Sequence, residues 1–339
     1  MKDSIDYKKA GVDIKAGEKA VDLIKPLAKN TFSKDVVTDI GSFGALFKLD
    51  LSRWTKPILV SSTDSVGTKV HIANMLQKWD TLGQDIVNHC VNDILTQGAY
   101  PLFFLDYIGI GKVLPRHIQE IVKGLTQACK ENDCALIGGE LAEMPSLYSD
   151  DDFDLVGTII GCVNEDKVIS GKTISDSDIL LGFPSTGLHT NGYTLARKIV
   201  FDIMQLKPGS FIEDLHSTIA EVLLAVHKSY YPILKPYIEN KIIKGLAHIT
   251  GGGIPGNLKR IIPGGFSAVV QKDSWEIPPL FEMLQKGGNV HIDEMYRAFN
   301  MGIGMIAIVD EEHADIIIEE TDAIIIGSIE KGKKKVVLQ

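Results

Sequence analysis

The chain has 339 residues, of which 45% are hydrophobic and 23% charged, and its formal net charge is −9. This composition excludes a disordered or fibrous protein, and the length predicts about two domains. The acidic balance argues against a broad nucleic-acid-binding surface, although one lysine or a nest of amides can still hold a small phosphorylated ligand. No apolar run is long enough to span a membrane, and residues 1–6 lack the apolar core of a signal peptide.

In the first half, short apolar runs alternate with segments of helical periodicity. Strands are predicted at 57–62, 101–108, 134–137 and 153–163, and helices at 81–97 and 116–132. The polar, turn-rich residues 171–178 mark the predicted boundary between two domains, 1–170 and 171–339. Beyond it we predict strands at 179–183, 242–249, 266–270, 302–309 and 323–329, and helices at 191–205, 217–230 and 254–262. The basic run 331–335 is predicted to be a solvated turn before a last strand. The predicted fold class is α/β (or α+β), with two α/β domains.

The four cysteines lie among apolar neighbours and form no C-x-x-C pair: Cys90, Cys129, Cys134 and Cys162. We therefore expect buried, reduced thiols in a cytoplasmic protein, with neither a disulfide framework nor a zinc site.

Residues 61–69 follow the first predicted strand and contain Asp64, Gly67, Thr68 and Lys69. A carboxylate and an ammonium group at a strand end suit Mg²⁺ and phosphate, because the carboxylate holds the hard cation and the lysine meets phosphoryl oxygens. The spacing is not that of a Walker A loop. A capped turn without a ligand explains this segment equally well.

Two further segments place carboxylates in unusual positions. Asp93 follows Asn92 inside a predicted helix, beside its apolar stripe, where an aspartate either pairs with a cation or binds a metal. A salt-bridged surface aspartate is the commoner alternative. Gly138 and Gly139 follow a predicted strand and precede Glu140.

In the second half, two loops lead from a strand into a helix. One contains His189, Thr190, Asn191 and Gly192, and the other contains Gly251–Gly253. Asn191 is a good N-cap, and the free amides of a helix start attract an anion. A histidine such as His189 is more often structural than catalytic. Taken together, the carboxylates, the lysine and the glycine-bearing loops favour an enzyme that uses Mg²⁺ and ATP.

The same segments resemble the phosphoribosylformylglycinamidine cyclo-ligases, also called aminoimidazole ribonucleotide (AIR) synthetases. The matching motifs run in family order along the chain: residues 7–13, 41–46, 63–69, 90–93, 98–107, 138–140, 142–145, 189–193, 250–253 and 294–300. Departures occur at Ser65, at Leu141 and at residues 254–256, and they put the local loop geometry in question. None of these departures falls on the four residues Asp64, Lys69, Asp93 and Glu140.

The resemblance implies ATP-dependent ring closure of formylglycinamidine ribonucleotide (FGAM) to AIR, with ADP and phosphate as the other products. It implies a homodimer in which the sheets of the two N-terminal domains pair into a barrel, and a glycine-rich cleft in the C-terminal domain. By resemblance, residues 1–170 bind ATP and Mg²⁺, and Asp64, Asp93 and Glu140 are the metal ligands. Lys69, His189 and Asp93 are the expected catalytic residues. The expected nucleotide- and phosphate-binding residues are Asp64, Gly67, Thr68, Lys69, Asn92, Gly138, Gly139, Glu140, Thr190, Asn191, Gly192, Gly251, Gly252, Gly253 and Lys25.

Two other kinds of function stay open at this point. One is a small-molecule kinase of the wider superfamily, which also includes FGAM synthetase, selenophosphate synthetase and a hydrogenase maturation factor. The chain lacks the reactive N-terminal cysteine of the selenophosphate enzyme and the C-terminal cysteine of the hydrogenase factor. The other is a non-catalytic nucleotide-binding subunit, which would have no need of Asp64, Lys69, Asp93 and Glu140 together. We expect no nucleic-acid or membrane partner.

Overall fold

The computed structural model describes residues 5–333 and 335–339. Residues 1–4, part of the N-terminal stretch considered above, and Lys334, part of the basic run, lie outside the described residues. The chain divides into two compact units. The first comprises Met1–Val91 and Pro101–Cys162, and the second comprises Asn92–Tyr100 and Val163–Gln339.

The first unit is built on a four-stranded sheet of order β1-β4-β2-β3. Its strands are β1 (Pro57–Ser65), β2 (Tyr100–Ile110), β3 (Ala135–Glu143) and β4 (Phe153–Asn164). Its helices are α1 (Ile14–Lys29), α2 (Val70–Leu76), α3 (Asp80–Leu95, whose last turn belongs to the second unit) and α4 (Pro115–Glu131). Helix α4 corresponds to the helix predicted at 116–132, and it buries Ile118, Ile121, Val122 and Leu125 on one face. Strands β2 and β3 are parallel, and Asp106 pairs in register with Gly139.

The second unit is built on a six-stranded sheet of order β12-β9-β11-β5-β10-β8. Neighbouring strands are antiparallel except for the parallel pair β12–β9. The strands are β5 (Ile179–Pro184), β8 (Gly245–His248), β9 (Phe266–Val270), β10 (Ile303–Val309), β11 (Ile324–Lys331) and β12 (Val336–Leu338); β6 (Phe211–Ile212) and β7 (Ser217–Thr218) form a separate hairpin. The helices are α5 (Tyr193–Arg197), α6 (Ile219–Leu223), α7 (Tyr231–Glu239), α8 (Gly253–Leu258), α9 (Pro279–Gly288), α10 (Ile292–Ala298) and α11 (Glu311–Glu320).

The predicted α/β class is confirmed, and three local predictions need correction. The pair Gly138–Gly139 lies inside β3 rather than in a loop, because the strand continues along β2 as far as Glu143. The helix predicted at 217–230 ends at Leu223, and residues 225–230 are not helical. The helix predicted to start at Asn191 starts at Tyr193, with Gly192 as its N-cap residue.

The polar residues 171–178 form a turn that Asp178 organises. Its carboxylate accepts hydrogen bonds from the Ser175 amide at 2.8 Å and the Ser175 hydroxyl at 3.0 Å, and pairs with Lys244 at 2.7 Å. All four cysteines are buried free thiols, which confirms their predicted burial. Among the described residues, we found no helix with the length and apolar character needed to cross a bilayer.

Candidate active site

Two accessible carboxylates belong to the first unit. Asp64 lies near the end of β1 with 46% of its side chain exposed, and its Oδ2 is 2.9 Å from His89 Nε2. Its Oδ1 accepts a hydrogen bond from the Ser65 amide at 2.7 Å. Glu140 is exposed on β3. Accessible carboxylate oxygens are the donors that Mg²⁺ prefers, so both residues fit the predicted chemistry.

Lys69 occupies a different environment from the one that its expected role requires. Gly67, Thr68 and Lys69 form a single 3₁₀ turn after β1, and the Lys69 side chain is completely buried. Its Nζ is 2.7 Å from Oδ2 of Asp85, which is also completely buried. Burial lowers the pKa of Lys69, and the charge of Asp85 opposes this shift. The lysine therefore neutralises a carboxylate inside the unit, and we assign it no direct contact with a phosphoryl group.

A cavity of about 540 Å³ lies between α1, residues 39–45 and the strands β2 and β3. Asp106, Gly138, Gly139 and Glu140 all contribute to its wall. A side chain at position 139 would overlap Asp106 Oδ1, which explains the glycine there. Burial raises the pKa of Asp106 to about 7, so this carboxyl group changes charge near neutral pH.

Lys25 lies on α1, one residue after Ile24, which lines this cavity. The pKa of Asp39, another lining residue, is lowered mainly by its hydrogen bond with Lys29, and Lys25 adds a smaller electrostatic contribution. Lys25 is therefore close enough to the cavity for its charge to act on Asp39.

In the second unit, Asn92 and Asp93 have separate roles. Asn92 is fully buried and holds the segment before α7: its Nδ2 donates to Lys228 O at 2.8 Å, and its Oδ1 accepts from Tyr230 N at 2.9 Å. This places Asn92 in a structural role rather than the expected nucleotide contact. Asp93 keeps 29% of its side chain exposed, and its Oδ1 is 2.8 Å from His248 Nδ1.

The two glycine-bearing loops of the second unit meet at Asn191. The Asn191 side-chain oxygen lies in van der Waals contact with the position that a Cβ of Gly251 would occupy. Asn191 Nδ2 has no hydrogen-bond acceptor within the described residues. The amides of Gly252 and Gly253 already donate to Arg297 O at 3.1 Å and Thr250 O at 3.0 Å. The amides of Gly252 and Gly253, which were predicted to contact an anion, therefore make internal hydrogen bonds instead. The side-chain amide of Asn191 is a better candidate donor to an anion than either of them.

His189 is buried, has a left-handed backbone (φ +60°), and accepts a hydrogen bond at Nε2 from the Thr186 amide at 3.2 Å. Its ring stacks on His227 at 4.0 Å between centroids. Thr190 is also buried, and its hydroxyl is 3.3 Å from His227 Nδ1. His227 and His248 were missed by the sequence reasoning. His248 ends a short apolar strand, and only Ile249 and Thr250 separate it from the triple glycine, which was an available signal. The sequence around His227 offers no comparable signal.

Comparison with known proteins identifies the family of the chain. Residues 48–163 match the model of the AIR synthase related protein, N-terminal domain, and residues 175–339 match that of the C-terminal domain. The phosphoribosylformylglycinamidine cyclo-ligase of Syntrophotalea carbinolica is 47% identical over 334 residues, which cover 97% of this chain and 95% of the relative. The protein of the same name from Alkaliphilus oremlandii is 44% identical over 339 residues, with 98% and 99% coverage.

Solved structures with the same fold have lower sequence identity. Thiamine-monophosphate kinase from Stenotrophomonas maltophilia K279a gives a TM-score of 0.70 at 18% identity and covers 95% of this chain and 96% of its own. The hydrogenase maturation protein HypE in complex with ATP gives a TM-score of 0.62 at 20% identity, with 92% and 88% coverage. These likenesses show the fold, and the full-length sequence matches show the family. The chain belongs to the AIR synthase related proteins and, among them, to the phosphoribosylformylglycinamidine cyclo-ligase family.

Proposed function

We propose that this chain closes the imidazole ring of AIR from FGAM at the expense of ATP, in purine biosynthesis. The observation that carries the proposal is the 47% identity to a curated cyclo-ligase across 97% of the chain. Three carboxylates predicted for this chemistry are also accessible within their units: Asp64 near the end of β1, Glu140 on β3, and Asp93 in the last turn of α3.

The reaction has two chemical steps. The formyl oxygen of FGAM attacks the γ-phosphorus of ATP, and ADP leaves. The amidine nitrogen then attacks the activated formyl carbon, phosphate departs with the oxygen, and a proton is lost from nitrogen. An amide-type oxygen is a poor leaving group, so phosphorylation is needed before the ring can close. Holding the two ends of the substrate near each other supplies much of the acceleration.

Asp64 and Glu140 are proposed ligands for Mg²⁺ in the first unit, and Asp93 is a proposed ligand in the second unit. The ion would neutralise charge on the phosphates of ATP. In the second unit, Asn191 Nδ2 would donate to a phosphate or substrate oxygen. His189 would pass a proton, and since its Nε2 accepts from the Thr186 amide, that proton sits on Nδ1.

The proposal includes a homodimer and a cytoplasmic location, which are supported by an exposed strand of the first unit and by the cysteines. Strand β1 is an edge of its sheet, and Ile58 and Leu59 on it are 41% and 63% exposed. An open, apolar edge strand favours pairing with a second copy of the chain, as the family's dimeric barrel requires. The buried free thiols suit the reducing cytoplasm.

The experiment is to incubate the purified chain with FGAM and Mg-ATP, detect AIR by diazo coupling, and measure ADP in parallel. One AIR per ADP supports the cyclo-ligase. ADP release without AIR would instead show phosphoryl transfer to water, or to FGAM without ring closure, and would contradict the cyclo-ligase. No ATP consumption would leave either a kinase whose acceptor is missing from the mixture or a binding subunit.

Asp93→Asn tests the proposed metal ligand, with exposed Asp166→Asn as the matched control. Loss of a ligand charge should lower kcat at least 100-fold, equivalent to about 3 kcal/mol, and raise the Mg²⁺ concentration needed for half-maximal rate. Near-normal turnover of Asp93→Asn at low Mg²⁺ would exclude the metal role.

A further inference from the structure

The carboxylate of Glu143 lies where two helices of the first unit begin. Glu143 is the last residue of β3, and its Oε2 accepts a hydrogen bond from the Asp13 amide at 2.6 Å. Its other oxygen, Oε1, accepts from the Val113 amide at 2.7 Å. Asp13 is the N-cap residue of α1, and Val113 directly precedes Leu114, the N-cap residue of α4. One carboxylate therefore connects the end of a strand to the starts of two helices.

This position suits a carboxylate better than any other side chain of its size. The N-terminus of a helix carries a partial positive charge, so a negative group beside two such ends is attracted to both. Hydrogen bonds from backbone amides to a charged oxygen are also stronger than those between neutral groups. A glutamine of the same length offers only one acceptor oxygen, and its NH₂ group would face the second amide N–H.

The N-terminal segment 7–13 packs against the residues around Glu143. A Cβ added at Gly11, whose φ is +105°, would lie only 3.0 Å from the side chain of Pro145. Segments 7–13 and 142–145 are both among the motifs noted in the sequence, and the proposed reaction uses neither. The fold joins these two motifs at one carboxylate.

The elements that Glu143 connects also form most of the wall of the cavity of about 540 Å³. The wall residues on them are Val21, Ile24 and Ala28 of α1, Ile118 and Val122 of α4, and residues 136–141 of β3. Glu143, Asp13 and Val113 do not themselves line the cavity. Glu143 can therefore set the spacing between the two helices and the strand without touching a ligand.

We propose that Glu143 is a positioning residue that holds α1 and α4 against β3 and so fixes the width of this cavity for its ligand. The identity of the ligand rests on the proposed function, which assigns Mg-ATP to the first unit. A wall that is fixed before the ligand arrives loses less conformational freedom on binding. Loss of the carboxylate should therefore weaken ATP binding and leave the chemical step of bound ATP unchanged.

The test compares Glu143→Gln with Glu18→Gln in the full chain. Glu18 is exposed on α1, so this control makes the same chemical change on one of the connected helices. Calorimetric titration with Mg-ATP alone should give a Kd about 10-fold or more higher for Glu143→Gln, because a hydrogen bond to a charged group is lost. In the AIR assay, KM for ATP should rise while kcat changes little, which is the pattern of lost uniform binding.

Amide hydrogen exchange gives a readout that needs no ATP. The first turns of α1 and α4 should exchange about 10-fold faster in Glu143→Gln than in Glu18→Gln, whereas β10 in the second unit should exchange equally in both. If Glu143→Gln does not fold, Glu143→Asp replaces it, since aspartate keeps the charge but draws it back by one methylene. Its Kd for ATP should rise in the same direction by a smaller factor.

Three results would overturn the positioning role: an unchanged Kd, a fall in kcat with an unchanged KM, or wild-type protein that binds no Mg-ATP. Faster exchange at the two helix starts together with a raised Kd would support it. Wild-type protein that binds Mg-ATP but forms no AIR would refute the proposed reaction alone, because the comparison of Kd values would still decide the role of Glu143.

Discussion

The buried ion pair between Lys69 and Asp85 makes a sharp prediction for Asp85→Ala. The two side chains are completely buried, with Nζ and Oδ2 2.7 Å apart. Removing the carboxylate leaves an ammonium group inside the first unit without its counter-charge. By contrast, the double variant Lys69→Met/Asp85→Leu removes both charges and replaces them with apolar groups of similar size.

The expected cost follows from the geometry. Two unit charges 2.7 Å apart attract each other by about 6 kcal/mol at an effective dielectric constant of 20. Desolvation offsets part of this attraction, and breaking one side of a buried pair typically costs about 3–5 kcal/mol. For a domain of roughly 150–250 residues this corresponds to a fall of about 6–20 °C in the unfolding midpoint. The double variant should recover most of that loss.

Thermal and urea unfolding, followed by circular dichroism, measure these differences. If Asp85→Ala lowered the free energy of unfolding by less than about 1 kcal/mol, Asp85 would not be an essential counter-charge for the buried lysine. A double variant as unstable as the single one would show that the pair does more than neutralise charge. Activity per folded molecule supplies a separate check: a much larger loss in the double variant than its stability explains would return Lys69 to the catalytic residues.

Three further predictions concern other buried groups. Burial raises the pKa of Asp106 to about 7, so the contribution of this group to stability is complete below about pH 4 and is lost as the pH rises through 7. Asp106→Asn should therefore have a higher free energy of unfolding than wild type at pH 8, by at most about 4 kcal/mol. Urea titrations should show a smaller advantage at pH 5. Gly253→Ala should lower the thermal unfolding midpoint sharply, because Gly253 has a φ of +58° and an added Cβ would overlap the Tyr296 carbonyl. Gly256→Ala in the same helix is the control, since its Cβ would meet no other atom and should not destabilise the protein. Equal midpoints for the two variants would refute this reasoning. Asn92→Ala should lower the free energy of unfolding by about 2–3 kcal/mol in urea titrations, because it leaves the buried Tyr230 amide and the partly buried Lys228 carbonyl without their partner. A cost under about 0.5 kcal/mol would contradict these contacts.

Elements with a strong local period were predictable. Helix α4 buries Ile118, Ile121, Val122 and Leu125 at helical spacing, and strand β9 is apolar except for Ser267, so local pattern alone located both. The glycines of β3 misled the prediction because glycine favours turns in most contexts. Their place in a strand depends on the neighbouring β2 and on Asp106, which approaches Gly139 too closely for a side chain.

The candidate site was predictable where a polar residue follows an apolar run in the sequence, as with Asp64 and Glu140, although the structure places both residues inside strands. It was not predictable where partners come from distant parts of the chain. The hydrogen bond between Asn92 and His227 joins residues 135 positions apart, and neither local sequence indicates it. Likewise, the burial of Lys69 depends on Asp85 in α3, so a motif that resembles a phosphate-binding turn contains an internal ion pair.

The short segment Asn92–Tyr100 matters for any attempt to divide the protein. It belongs to the second unit although the first unit both precedes and follows it along the chain. A fragment that starts at residue 163 would lack Asn92 and Asp93, leaving the Tyr230 amide without its acceptor and His248 without its carboxylate. The second unit is therefore not a module that can be excised at one point. Recombination or truncation at a single boundary should yield insoluble halves, whereas supplying residues 92–100 as a separate peptide offers a way to rescue the C-terminal part.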